Sequence, residues 1–553
     1  MSSGSAGLRS FAAGRTWPVA SLVLALALLC ALLLALPGQT VATRYLNDLF
    51  LILDHAYRVS WGQVPNQDFH TPLGPLVSYV PALGYRLSGS LGAAMPLGMA
   101  LLLLGLAPAI AFVLASRLHP LLALSYGAFL ILILAVPINL GEGVNALTFA
   151  KFYNRIGWVV LGTLLILHLR PRQGPGSGSL DAACAAILTL VALYTKATYG
   201  VAALGFLALM LLDRRQRGWA LGALGGIAVV VLAIEFVWRS SLGYLADLQM
   251  ALAVSGALRG SWGQILDHIL VSLADYVLVT LFAVLALRRS RSLRDALFYT
   301  YCGIVGFLLI NQNFQSWGII TLHAAAAVAA ETILRHTDGA VVTPERERWT
   351  AAAGAKLLFL ALALPTIIHC TLALGLHTVA AANRAGDPVP FANLNGVRFA
   401  NLWTWGDHGG GLDQLKAVND GAAALAGLTP RAERVAVLDL ANPFSAALGL
   451  RPPRGDLPWV QWERTVGPAA ASRAAGFLAD VVVVLEPKQA PDTDAARADK
   501  EGRSPTALFR PVLAAEFEVV RETDHWIVHR RIRPARTGCL DCGGAGQRPA
   551  GHT

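Results

Sequence analysis

Residues 44–76 read Arg44-Tyr-Leu-Asn-Asp48-Leu-Phe-Leu-Ile-Leu-Asp54-His-Ala-Tyr-Arg58-Val-Ser-Trp-Gly62-Gln-Val-Pro-Asn-Gln-Asp68-Phe-His70-Thr-Pro-Leu-Gly-Pro-Leu76. Leu46, Leu49, Phe50, Leu53, Tyr57 and Trp61 recur at helical spacing, and Asn47, Asp54, His55 and Arg58 take the other face with Asp48 at its edge. This pattern predicts an amphipathic helix lying in a membrane interface and stopped at Gly62, followed by an extended, Pro-rich stretch. Asp48, Asp54 and Asp68 would then lie near a bilayer surface, where ionisable groups are costly and tend to serve function. Asp54, on the polar face, reads as a solvated charge.

The rest of the chain sets this segment in a membrane. Of 553 residues, 55 % are hydrophobic and 14 % charged, well below the roughly 25 % charged of soluble domains. That excludes an ordinary soluble enzyme, a disordered chain and a disulfide-rich module. Apolar runs fall near 18–37, 73–88, 92–115, 120–139, 156–170, 181–195, 199–213, 218–238, 268–288, 296–311, 318–335 and 352–376, giving about 12–13 transmembrane helices. The net charge of +10 marks topology and not nucleic-acid binding, because the arginines cluster in short gaps between apolar runs.

Four such gaps (170–172, 213–217, 288–294 and 335–348) fall on one side by counting spans, and the positive-inside rule makes that side cytoplasmic. The gaps 141–155, 194–199, 239–267 and 311–317 fall on the other, with amides, tyrosines and single basic residues. Segment 38–72 belongs there by its chemistry, although the count needs one span between 72 and 119 to be re-entrant. The organisation expected is a short cytoplasmic N-terminus (1–17), a transmembrane domain (18–376) with first outer loop 38–72, an outer-face domain (377–535) and a tail (536–553).

In 377–535, short apolar runs at 434–440, 480–486 and 517–529 alternate with Ala-rich helical stretches, which predicts a small α/β domain. It has no nucleophile elbow, P-loop or dinucleotide fingerprint. Cys30, Cys184, Cys302 and Cys370 read as packed apolar groups. Cys539 and Cys542 have no second pair with which to form a zinc ribbon.

The 44–76 segment resembles the first outer loop of GT-C membrane glycosyltransferases of the protein O-mannosyltransferase and lipid A aminoarabinose transferase type. Asp48, Ala56, Gly62, Val64-Pro65, Asp68-Phe69 and Pro72-Leu-Gly-Pro75 follow that family's order. Thr195-Lys196 resembles its Thr-Lys-Gly, and Tyr153-Asn154-Arg155 stands where an Arg and Asp are common. Leu49 replaces the second acid of an Asp-Glu pair, Ala197 replaces a Gly, and His70-Thr71 replaces a Glu-Lys pair of the aminoarabinose branch.

The resemblance implies transfer of a sugar from a polyprenyl-phosphate donor in the membrane to an acceptor hydroxyl on a glycan, lipid or protein. Transfer would invert the anomeric carbon at the outer face of a bacterial cytoplasmic membrane. It makes Asp48 the catalytic base, Lys196 and Arg155 the phosphate ligands, and Asp68, His70 and Asn154 the walls of the pocket. No metal ligand is assigned, and the cofactor stays open, a divalent cation included. The bland alternatives are Asp48 as a helix cap, Lys196 and Arg155 as interfacial anchors, and Asp68 and His70 as turn residues. A multi-span transporter or flippase, an outer-face glycan polymerase or ligase, and a non-catalytic scaffold are the rival readings of the whole chain.

Overall fold

The computed structural model describes residues 5–172, 178–255, 262–313, 320–338, 345–488 and 501–532. The helix α1 (Ser5–Ala35) is followed by the short strand β1 (Thr40–Ala42), α2 (Leu46–Ser60) and α3 (Leu76–Ser88). Then come α4 (Leu91–Arg117), α5 (Pro120–Ala135), α6 (Phe152–Leu165), α7 (Gly178–Thr195), α8 (Ala197–Leu211) and α9 (Arg217–Trp238). The set continues with α10 (Ser241–Ser255), α11 (Trp262–Val271), α12 (Leu273–Ser290), α13 (Leu293–Asn313), α14 (Ile320–Asp338) and α15 (Glu345–Ala382).

The arginine-bearing helix ends meet at one end of this bundle. Arg117 pairs with Asp181 at 2.7 Å, Glu331 takes Arg172 at 2.6 Å and Arg335 at 2.8 Å, and Arg294 pairs with Asp213 at 3.1 Å. Long-range ion pairs thus tie α4 to α7, α13 to the α8–α9 connection, and α14 to the α6–α7 connection at the arginine-rich end. The other end gathers the connections 36–45, 61–75 and 136–151, to which Lys196 and α10 also belong. There Thr43 N donates to Leu147 O, Gly74 N to Thr195 O, and Asn145 Nδ2 to Leu402 O.

Among the described residues, eleven helices alternate between these two ends: α1, α4 to α9, and α12 to α15. Six carry stretches long and apolar enough to cross a membrane, with mean hydropathy up to 2.7. The chain is therefore a multi-pass membrane protein, with a domain appended after α15.

The structure corrects the reading of 73–88 as a span. The 13 residues of α3 reach only about 20 Å, short of a ~30 Å bilayer core. Both ends of α3 also lie at the loop end. Its entry is fixed at Thr195, and the turn after it places Ser90, the N-cap of α4, against Asn395 O at 3.0 Å. Removing this span yields the parity that puts 38–72 beside the other polar gaps, and lowers the expected count of 12–13.

After α15 the chain forms β2 (Asp387–Pro388), β3 (Val397–Phe399), α16 (Trp405–Ala426), β4 (Val435–Val437), β5 (Val483–Pro487), β6 (Phe517–Glu522) and β7 (Trp526–Arg531). A four-stranded sheet runs β4-β5-β7-β6, with β4 and β5 parallel and the remaining pairs antiparallel. The expected strand regions are all present. The third splits into the hairpin β6–β7, because Thr523-Asp524-His525 turns the chain. A second sheet, β1-β3-β2, joins the end of α1 to this domain, Thr40 opposite Val397. Helix α15 also runs six residues past the expected boundary at 376, to Ala382. Cys539, Cys542 and the tail 536–553 lie outside the described residues.

Candidate active site

Helix α2 forms where the apolar spacing places it, and Gly62 closes it at φ +78°, a conformation that favours glycine. Its surroundings differ from the expectation. Most of α2 from Leu46 to Arg58 is buried, the polar face included. Asp54 is not solvated: it and Arg58 are 0 % exposed and pair at 2.6 Å. Arg58 also forks onto Asp456 of the appended domain at 2.7 and 2.8 Å. His55 packs its Nδ1 against Ser78 Oγ at 3.2 Å, and burial with Arg58 nearby pushes its pKa down to about 3, so it stays neutral. The polar face of α2 binds protein, because α3 and the appended domain cover it.

Asp48 lies in the first turn of α2, half-buried; the N-cap position is Tyr45, so Asp48 is not the cap. Burial raises its pKa above the usual carboxylate value, and the nearby charges of Lys151 and Arg464 oppose that rise. Both of these cations line a partly open cavity of about 1110 Å³ at the loop end. Lys151 stands just before α6 in a left-handed conformation (φ 54°) with its ammonium 5.6 Å from the Tyr45 ring. Among the described residues, neither Lys151 nor Arg464 forms an ion pair.

Lys196 is the third cation of the cavity, at the N-terminus of α8. Its Nζ lies 3.5 Å from Asn154 Oδ1 and 5.5 Å from the Tyr153 ring. Asn154 and Tyr153 also line the cavity. Below the cations the wall is apolar, with Leu193, Val201, Leu248, Leu252, Val305 and Leu308. Gly74 lets the α2–α3 connection close on α7; a Cβ there would collide with the Tyr194 carbonyl. Pro72 and Leu73, just before it, complete the wall.

The structure thus brings Asn154 and Lys196 together in the cavity wall, sets Asp48 beside two of the cavity's other cations, Lys151 and Arg464, and places the other three candidates elsewhere. Arg155 turns away from the cavity, is buried, and donates to Ile138 O, pinning the 136–151 connection. Asp68 accepts from Val64 N at 2.8 Å and faces Arg454 at 3.6 Å, bracing its own turn against the appended domain. His70 is held by Asp247 of α10 at 2.7 Å, and Asp247 also accepts from Asn66 Nδ2 and Thr71 N.

Lys151 and Arg464 were missed by sequence reading. Lys151 carried a weak signal, as a single basic residue in a polar gap. Arg464 carried none, because its place depends on how the appended domain docks. Among the described residues, no group of three or more His, Cys, Asp or Glu is placed to hold a metal ion. The segment 314–319 of the gap 311–317, and the side chains of 311–313, lie outside the description.

No family model matches the chain, and no curated protein matches it. Solved structures do. ArnT from Cupriavidus metallidurans bound to undecaprenyl phosphate is similar at 14 % identity and TM-score 0.49, over 92 % of this chain and 97 % of that one. An oligosaccharyltransferase from Archaeoglobus fulgidus, in complex with zinc and sulfate, is similar at 12 % identity and TM-score 0.38, over 84 % and 68 %. The arabinofuranosyltransferase AftD from Mycobacteria is similar at 14 % identity and TM-score 0.42, over 94 % of this chain and 40 % of that one. At such identities the likeness is one of helical arrangement.

Proposed function

We propose that this protein is a GT-C-type membrane glycosyltransferase that moves a sugar from a polyprenyl-phosphate donor to an acceptor hydroxyl. The observation that carries the reading is the cavity's division. Three cations line it, two of them (Lys151 and Arg464) beside a carboxylate with no ion-pair partner among the described residues, and an apolar trough continues between helices. A lipid phosphate has that same division: a dianionic head for Lys151, Lys196 and Arg464, and a hydrocarbon chain for the trough.

The chemistry follows from the groups present. Asp48, ionised, takes the proton of the acceptor hydroxyl as its oxygen attacks the anomeric carbon. The bond from that carbon to the phosphate oxygen breaks on the opposite face, so the centre inverts. The electron pair leaves on the lipid phosphate, where the three cations stabilise the charge that develops. The arginine-rich end is read as cytoplasmic, which puts the cavity and the appended domain on the outer face of a bacterial cytoplasmic membrane.

The test uses purified protein in lipid with a panel of polyprenyl-phosphate sugars and candidate acceptors, following release of polyprenyl phosphate. Release is expected with at least one donor and is expected to depend on Asp48. Lys196→Met is expected to lower kcat by about 10²–10³-fold, the usual cost of removing a group aimed at developing charge. Folded protein that releases nothing from any donor would end this reading and bring transport forward.

A further inference from the structure

The arginine-rich end holds a second cavity, of about 640 Å³, between the first turns of α7 and α9. It shares no lining residue with the cavity at the loop end and serves no step of the transfer proposed there. The two helices come close only beyond its floor. A Cβ on Gly222 would stand 3.2 Å from the Ala182 Cβ, and one on Gly226 3.7 Å from the Ala186 Cβ. One turn nearer the start of α9, Gly218 also lines the cavity, and a Cβ there would meet nothing within 4 Å. Trp219 and Gln216, both buried, complete this wall. Trp219 Nε1 donates to Gln216 Oε1 at 2.9 Å, and Gln216 Nε2 donates to His168 O at 2.7 Å, so neither side chain is loose.

The cavity keeps positive charge that the protein does not neutralise. Arg170 and Arg215 line it. Arg215 forms no ion pair among the described residues, and its N donates to Asp213 Oδ1 at 2.9 Å, which fixes the turn that carries it. Arg170 has a long contact to Asp213, 3.7 Å, and that carboxylate lies closer to Arg294, at 3.1 Å. The carbonyl of Arg170 is held from behind by Arg335 Nη2 at 2.8 Å. Asp181 is the acidic residue among the described lining residues, and Arg117 meets its charge at 2.7 Å. Two guanidinium forks at a cavity mouth suit a phosphate group.

What flanks the arginines separates a lipid phosphate from a soluble one. Leu180 on α7 and Leu221 on α9, next in sequence to lining residues, are 51 % and 53 % exposed. From Leu221 the exposed side of α9 continues through Val229, Leu232 and Phe236, at helical spacing. In a membrane protein that stripe faces hydrocarbon, and a basic pocket between helices at such a level takes lipid headgroups.

We propose that this cavity seats the phosphate headgroup of an anionic phospholipid from the leaflet at the arginine-rich end, with Arg170 and Arg215 on the phosphate and an acyl chain along the exposed stripe of α9. The site is separate from the glycosyltransferase reading and stands or falls without it. The test titrates the purified full chain, in neutral detergent, with phosphatidylglycerol or with phosphatidylcholine of the same acyl chains, native mass spectrometry counting the lipid retained.

Phosphatidylglycerol is expected to saturate one site, and phosphatidylcholine to bind at least about tenfold more weakly. Arg170→Gln combined with Arg215→Gln is expected to raise the Kd for phosphatidylglycerol about 25-fold, near fivefold for each arginine. Gly218→Leu keeps every charge and fills open space in the wall, and is expected to weaken binding about tenfold. Arg288→Gln combined with Arg289→Gln removes the same charge from the last turn of α12, outside the lining, and should leave the Kd unchanged. Equal losses in that control, or equal binding of the two lipids, would mean that charge spread over the whole end attracts lipid, and would overturn the site. So would an Arg170/Arg215 double variant or a Gly218→Leu variant that binds as wild type does. Displacement of the lipid by millimolar inorganic phosphate would make a soluble anion the occupant and overturn the lipid assignment.

Discussion

Asp48→Asn is expected to cut sugar transfer by about 10³-fold while leaving the protein folded and able to bind polyprenyl phosphate. The substitution keeps size and hydrogen-bonding reach and removes only the capacity to accept a proton, for which losses of 10²–10⁴ are usual. The pH profile adds a sharper check. Burial raises the Asp48 pKa, with Lys151 and Arg464 holding it back. A base must be ionised, so kcat/KM falls as pH drops through the pKa of the folded enzyme. That acid limb should therefore lie above the ordinary carboxylate range. Lys151→Met removes a charge that favours the ionised form, so the limb should move to higher pH. A limb that stays put, or moves down, would mean that Asp48 is not the titrating base. Full activity of Asp48→Asn would remove it from the mechanism altogether.

What the sequence revealed about this site, and what it hid, follows from the range of the interactions involved. Helix α2, its stop at Gly62 and the place of Asp48 within it are local matters of apolar period and turn chemistry, and they were legible. So was Lys196, because a lone basic residue at the end of an apolar run announces a membrane-interface position whatever its partner. The strands β4 and β5 announced themselves as short valine-rich runs.

The re-entrant α3 was misread as a span because a mostly apolar run such as 73–88 looks alike whether it crosses a bilayer or folds back at its surface. Only the pairing of its two ends, Gly74 with Thr195 and Ser90 with Asn395, tells them apart. Arg464 and the burial of the α2 polar face were illegible for the same reason. Both come from the appended domain, nearly 400 residues away in sequence. A polar helical face reads as solvated until something is known to cover it.

That covering face leads to the second large effect. Arg58→Met is expected to destabilise the junction between α2 and the appended domain by about 3–5 kcal/mol. Breaking a buried ion pair costs this much because it leaves charge buried without a partner. Here two carboxylates would be stranded, since Arg58 bridges Asp54 at 2.6 Å and Asp456 at 2.7 Å, all of them buried. Elsewhere along the boundary Gln414 Nε2 donates to Asn47 Oδ1 and β1 pairs with β3, but the seat of loop 452–456 on α2 has few other ties. Nearby, His70 N donates to Asp456 O and Gly455 N to Asp68 O, and Gln63 Nε2 reaches Pro453 O at 2.9 Å. All of these depend on the same loop, 452–456, staying seated. Losing the seat would also displace Trp459 and Arg464, which follow it and line the cavity, so the variant should lose activity without any change to Asp48 or Lys196.

The sign of the pH dependence distinguishes this from a simple loss of packing. Burial pushes Asp54 up to about 6 from its ordinary 3.8, the charge of Arg58 opposing the rise. The folded state therefore holds that proton more tightly than the unfolded chain does. Wild-type stability should fall as pH rises from about 4 through about 6, then level off. Without Arg58 both carboxylates must be protonated to stay buried, so the falling window should extend upward, and the variant should regain stability as the pH is lowered. Arg58→Met combined with Asp54→Asn and Asp456→Asn removes all three charges and should recover much of the loss. Thermal unfolding of the three proteins (wild type, single and triple variant), with limited proteolysis to report undocking of the appended domain, measures this directly. An Arg58→Met variant as stable as wild type near neutral pH, or a triple variant no better than the single one, would show that packing around 452–456, and not the charge bridge, holds the two domains together.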